Sequence, residues 1–124
     1  MKMKKILIAE DNENARVMFQ DALSNLGYNV IVVENGYEAI NIAREELPDL
    51  IILDIMMPEM DGIETTKKIR QDPKISHIPI LISSAAGNLH SVFSPVSGTG
   101  IQDFIEKPYK INLLVEKIKG LIGE

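Results

Sequence analysis

Leu50-Ile51-Ile52-Leu53-Asp54-Ile55-Met56-Met57-Pro58-Glu59-Met60-Asp61-Gly62 is the stretch on which the fold turns. The apolar run Leu50 to Leu53 is too short for a helix and reads as a strand buried on both faces, as in a parallel sheet. The run ends in a carboxylate. Pro58 cannot continue a ladder and Gly62 permits a tight turn, so Asp54 is expected where strand becomes loop. Ligands of open parallel α/β sheets bind in the crevice beyond the carboxyl ends of the strands, which makes Asp54 a candidate reactive group. Read alone, it equally suits a loop Asp capping a nearby helix or turn.

On the N-terminal side, Ile6-Leu7-Ile8-Ala9, closed by Glu10-Asp11-Asn12, predicts a buried first strand. Ala15, Met18, Phe19, Ala22, Leu23 and Leu26 then fall on one helical stripe that Gly27 ends. Val30 to Val33 predict a β-branched second strand. A second helix follows Asn35-Gly36, with Ala39, Ile40, Ala43 and Leu47 inward and Pro48 stopping it. On the C-terminal side, a third helix is expected from about Asp61-Gly62 to Gln71, with only a weak apolar face of Ile63, Thr66 and Ile69. Pro79 introduces a fourth strand, Ile80-Leu81-Ile82-Ser83, ending in Ser84. Phe104-Ile105-Glu106 is a short fifth strand, followed by Lys107-Pro108. Ile111, Leu114, Val115, Ile118 and Leu121 space a last helix. This alternation predicts an α/β domain: a doubly wound, flavodoxin-like parallel sheet of five strands in the order 2-1-3-4-5, with helices on both faces.

The segment Gly87–Gly100 stands apart. It should hold the fourth helix, yet it contains three Gly, three Ser, one Thr and Pro95, and Leu89 is its only strong helix former. A short, distorted or mobile segment is expected.

With 124 residues the chain is a single domain, residues 1–124, too small for a separate output module. A net charge of −5 argues against non-specific nucleic-acid binding as the main activity. The absence of cysteine excludes disulfides and thiolate metal sites. His77 and His90 lack metal-ligand spacing. No run resembles a signal peptide or approaches the roughly 18 apolar residues of a membrane span, so a cytoplasmic protein without membrane contact is expected.

In the 2-1-3-4-5 order the first and third strands are neighbours, so Glu10, Asp11 and Asp54 meet in one crevice. Three carboxylates there repel, and one must bind a proton or all must share a cation. An all-oxygen set suits a hard ion, Mg²⁺ above others. Ser84 would add a hydroxyl at the end of the fourth strand and Lys107 an ammonium at the end of the fifth. A cation, an ammonium and a hydroxyl around one Asp form a receptor for phosphoryl oxygens, with Asp54 as a nucleophile able to become an aspartyl phosphate. Each part also has a plainer reading: Glu10-Asp11 as a helix cap, Lys107-Pro108 as a loop with a solvated lysine, Ser84 as a structural serine. The coincidence carries the weight, because every candidate ends a separate strand.

At these residues the chain resembles the receiver domains of two-component response regulators, of the single-domain, chemotaxis-Y-like type. The matching pieces are Ile6 to Asn12, Pro48 to Pro58 with Asp61-Gly62, Pro79 to Ala85, and Asp103 to Pro108. The resemblance implies that Asp54 accepts a phosphoryl group from a sensor histidine kinase or a histidine phosphotransfer protein. It implies Mg²⁺ held by Asp11, Asp54 and the Met56 carbonyl, with Glu10 acting through water. Lys107 would pair with the phosphoryl group, Ser84 would be the switch hydroxyl, and Phe104 the aromatic residue that changes rotamer with it. The face of fourth helix, fifth strand and fifth helix would signal to an unknown protein target, with no direct contact to nucleic acid. Such a chain is a phosphoacceptor signalling domain rather than an enzyme, catalysing only its own phosphorylation and dephosphorylation.

The chain departs from the family's commoner pattern in Glu10 for Asp, in Ser84 for Thr, and most of all in Gly87–Gly100. Met56 and Ala86 stand where polar side chains can help position a hydrolytic water, and neither offers a useful donor or acceptor, so slow self-dephosphorylation is expected. Three rivals deserve comparison. A phosphohydrolase of the haloacid-dehalogenase pattern would place an Asp at position 56, which is Met. A flavin carrier would need a phosphate loop where Glu10-Asp11 repels phosphate. A degenerate receiver used only for interaction sits poorly with intact Asp54 and Lys107. With no room for an effector domain, the chain is expected to be either a free-standing relay or a receiver from a longer protein.

Overall fold

A computed structural model describes residues 3–85 and 100–123. Its strands are β1 (Lys5–Ala9), β2 (Asn29–Val33), β3 (Leu50–Asp54), β4 (Ile80–Ser84) and β5 (Asp103–Glu106). They form one sheet in the order β2-β1-β3-β4-β5, every neighbouring pair parallel. The described helices are α1 (Glu13–Asn25), α2 (Gly36–Glu46), α3 (Gly62–Gln71) and a C-terminal helix (Ile111–Ile122). The expected segment Gly87–Gly100, apart from Gly100, lies outside the described residues, as do Ala86 and His90.

Two cores flank the sheet because alternate strand residues point to opposite faces. Leu7, Ile51, Leu53, Ile80 and Ile82 pack with Ala39 and Ala43 of α2 and Ile69 of α3. Ile6, Ile8, Leu50, Ile52, Leu81 and Ile105 pack with Phe19 and Leu23 of α1 and with Leu114 and Ile118 of the C-terminal helix. Every residue of β3 is buried, which explains why its sequence is an unbroken apolar run rather than an alternating one.

Asn12, Asn35 and Asp61 cap α1, α2 and α3, each accepting from a backbone N–H three residues on. Gly27 ends α1 as expected, with φ of 97°; its N–H bonds Ser24 O, and that of Tyr28 bonds Leu23 O.

Several positions read as inward face solvent instead. On α1, Met18 and Leu26 are about half exposed, because the line Ala15–Phe19–Leu23 meets the core and Leu26 already lies past the last turn. Leu47 is the left-handed C-cap of α2, with φ of 49°, which directs its side chain outward while Pro48 is buried in its stead. Ile111 opens the C-terminal helix and is exposed. Conversely, Thr65 is fully buried on α3 because its hydroxyl bonds the Asp61 carbonyl at 2.8 Å.

Candidate functional site at the carboxyl edge of the sheet

Strand register fixes where the acidic residues lie. Ala9 pairs with both Val33 and Leu53, so Glu10 and Asp11 emerge just past the ends of β2 and β3. Asp54 pairs with Ser83, and Ser84 with Glu106, which puts Lys107 one step beyond. The carboxylates of Glu10, Asp11 and Asp54 come together, one oxygen of each lying within 4.8 Å of the others. Glu10 and Asp54 are buried, and Asp11 is exposed.

The predicted repulsion is met by an ammonium. Lys107 Nζ donates to Glu10 Oε1 at 2.7 Å and to Asp54 Oδ2 at 3.1 Å. Burial works against a charge on Lys107, but hydrogen bonds and attraction from Glu10 and Asp54 outweigh it and hold its pKa above the ordinary lysine value. The second oxygens of Glu10 and Asp54 are also engaged. The Met56 N–H donates to Asp54 Oδ1 at 3.1 Å and the Asn12 N–H to Glu10 Oε2 at 3.2 Å.

The loop that follows Asp54 is held from below by Gly62. Its N–H donates to Ile55 O at 3.0 Å, and a Cβ on Gly62 would lie 2.6 Å from Asp54 O. Only a glycine lets the start of α3 come this close to the end of β3. Met56 is 67% exposed, so the loop leaves its side chain outside.

Sequence reasoning missed three contributors. Arg16 donates to Glu10 O at 2.8 Å, fixing the acidic turn from α1. Ser83 Oγ and Tyr109 Oη share a hydrogen bond of 3.1 Å, and the Tyr109 ring stacks on Phe19 with centroids 6.5 Å apart. Burial raises the Tyr109 phenol above its ordinary pKa, and the Ser83 hydrogen bond offsets part of that rise. The Lys107–Pro108 peptide bond is cis. Ser83, on the same face of β4 as Leu81, was the one visible sign, because a buried hydroxyl requires a partner. Phe104 is half-buried against the core that α2 and α3 cover.

The donor set fits a small hard cation: all its side-chain donors are carboxylate oxygens, one is open to solvent, and an ammonium supplies part of the counter-charge. Chemically, the arrangement sets a buried carboxylate beside an ammonium, within an acidic cluster whose oxygens suit a hard metal ion.

A family model described as the response regulator receiver domain matches residues 6–119. The polar-differentiation response regulator DivK of Brucella anthropi is 36% identical over 121 residues, covering 98% of each chain. The signal receiver domain of a signal transduction histidine kinase from Syntrophus aciditrophicus superposes with a TM-score of 0.86 at 32% identity, covering 97% of this chain and 90% of that one. The receiver domain of the sensor histidine kinase PA1611 from Pseudomonas aeruginosa, with a magnesium ion coordinated in its active-site cleft, gives a TM-score of 0.88 at 28% identity over 99% of this chain and 100% of that one. Among the described residues, no helix is long and apolar enough to cross a membrane.

Proposed function

The chain belongs to the response regulator receiver family, and from that premise we propose that Asp54 accepts a phosphoryl group from a phosphohistidine donor on a sensor histidine kinase or a phosphotransfer protein. The observation that carries the reading is Lys107 Nζ bridging Asp54 and Glu10 at the point where three carboxylates converge.

In the reaction a carboxylate oxygen of Asp54 attacks phosphorus, the bond from phosphorus to the imidazole nitrogen breaks, and the donor histidine leaves with that electron pair. Asp11, Asp54 and the Met56 carbonyl would hold Mg²⁺, with Glu10 acting through water; when bound, the ion neutralises charge on the transferring oxygens. Lys107 is released from Asp54 to pair with the phosphoryl group and keeps Glu10 as its second anchor. Ser84, at the end of β4, is the switch hydroxyl, and Phe104 the aromatic partner that follows it. Partners read the change on the face that includes β5 and the C-terminal helix, so phosphorylation acts as a population shift between two surfaces. With Met56 and Ala86 unable to orient a water, the aspartyl phosphate is long-lived.

The test is intact mass after incubation with acetyl phosphate and Mg²⁺. A gain of about one phosphoryl group (~80 Da) in the parent, lost in Asp54→Asn and in excess chelator, is the expected result. An unchanged mass in the parent with Mg²⁺ bound refutes the reading. A phosphoprotein half-life of seconds refutes the slow-hydrolysis part alone.

A further inference from the structure

The short connection between β5 and the C-terminal helix carries Lys107, yet regular structure does little to fix it. β5 ends at Glu106, the helix begins at Ile111, and its N-cap Lys110 makes no side-chain capping bond. Tyr109 lies two residues after Lys107 and is the connection's anchor. Its ring stacks on Phe19 of α1, and its hydroxyl reaches Ser83 on β4. Ser83 is 2% exposed and pairs in register with Asp54, so this hydrogen bond sits beside the reactive strand end.

Neither hydroxyl is needed for the core as such. Leu81 and Ile105, which share that face of the sheet, are plain apolar residues, and a phenylalanine ring would fill the space of Tyr109 as well. What the hydroxyl pair adds is direction. It ties the connection that carries Lys107 to the strand that neighbours Asp54, and a lysine on an untethered connection would spread its ammonium over many positions.

We propose that Ser83 and Tyr109 are a positioning pair for Lys107: their hydrogen bond holds the Lys107–Tyr109 turn so that the ammonium stays over Asp54. This deepens the phosphoacceptor reading and rests on it. The pair touches neither phosphorus nor its donor, and acts through Lys107.

The experiment uses Tyr109→Phe, Ser83→Ala and the double variant, each also in a Lys107→Ala background. Two quantities are read: the rate of phosphorylation by acetyl phosphate at saturating Mg²⁺, and the solvent exchange of the Lys107 ammonium protons by ¹⁵N-resolved NMR. Each single variant is expected to slow phosphorylation on the order of fivefold, the size of one lost neutral hydrogen bond. The double variant should be no slower than the singles, and Tyr109→Phe should change nothing once Lys107 is Ala. Ammonium exchange should quicken in every hydroxyl variant that keeps Lys107, and the double variant, which leaves neither hydroxyl unpaired, should do so with a melting temperature near that of the parent. The proposal is overturned if the rate and the exchange are unchanged, or if Tyr109→Phe slows the Lys107→Ala protein as much as the parent. If the parent takes up no phosphoryl group, the Asp54 reading fails by itself, and ammonium exchange still decides whether the hydroxyl pair positions Lys107.

Discussion

Replacing Gly62 with alanine would push a methyl group into the backbone at the end of β3. The new Cβ would stand 2.6 Å from Asp54 O, 3.0 Å from Ile55 Cα and 3.1 Å from Asp54 C. Contacts below 3.0 Å are essentially never made, so the start of α3 and the Asp54 carbonyl must separate by at least 3.0 − 2.6 = 0.4 Å. The obstacle is main chain rather than a side-chain tip that can swing away. Overpacking of this kind costs about 1–3 kcal/mol. Alanine recovers roughly 0.5–1 kcal/mol through its smaller loss of backbone freedom. The midpoints, about 2 and about 0.75 kcal/mol, leave a net loss of about 1 kcal/mol, a fall in Tm of roughly 3–6 °C for a domain of this size. Since a misplacement of about 1 Å can cost on the order of 10²-fold in rate, the smaller shift here should slow phosphorylation by roughly three- to tenfold. Gly120→Ala is the matched control. It lies within the C-terminal helix with nothing within 4 Å of its Cβ position, so it should gain about 0.5–1 kcal/mol. Urea unfolding and acetyl phosphate labelling of both variants check the reasoning. A Gly62→Ala protein as stable and as quickly phosphorylated as the parent would refute it.

Arg70 donates to the carbonyls of Gly100, Ser76 and Ile78 and to Gln102 Oε1, stapling the end of α3 to the approaches of β4 and β5. Arg70→Met should cost about 2–3 kcal/mol in urea unfolding, and Arg70→Lys should recover little because an ammonium cannot reproduce the fork. Asn12→Ala removes the cap bond of 2.9 Å to the Ala15 N–H and should cost about 1 kcal/mol, read as a lower urea midpoint at constant slope. Asp72 is held below the ordinary carboxylate value of 3.8, chiefly by the Lys74 N–H; desolvation opposes this, and the Arg44 side chain adds to the lowering. A depressed folded pKa gives stability that is present above 3.8 and lost as pH falls through the lowered value. Asp72→Asn should therefore show a smaller drop in urea midpoint between about pH 6 and about pH 3 than the parent, and equal drops would contradict the assignment.

The main elements were legible because local physics marks them twice. Leu50 to Leu53 declare a doubly buried strand by composition, and Pro58, Asp61 and Gly62 bound it by backbone chemistry. Asn35 and Asp61 announce helix starts by the bonds their side chains make within one turn, whereas α1 is capped by Asn12 rather than by the Glu10-Asp11 pair that its sequence also allowed. Misreadings came where period alone had to give burial. Met18 and Leu47 fit the helical stripe in number, but the width of the stripe that meets the sheet depends on where the helix lies.

Periodicity and turn chemistry marked five strands alternating with helices and put carboxylates and a lysine at strand ends, and right-handed crossovers left few strand orders, of which 2-1-3-4-5 is the usual one. The pairing of side chains comes from packing in three dimensions. Lys107 meets Glu10 across 97 positions of sequence and Asp54 across 53, and Tyr109 finds Ser83 across 26. No local propensity encodes such contacts. They exist because parallel register brings the strand ends into one row, where buried charges and hydroxyls must satisfy one another.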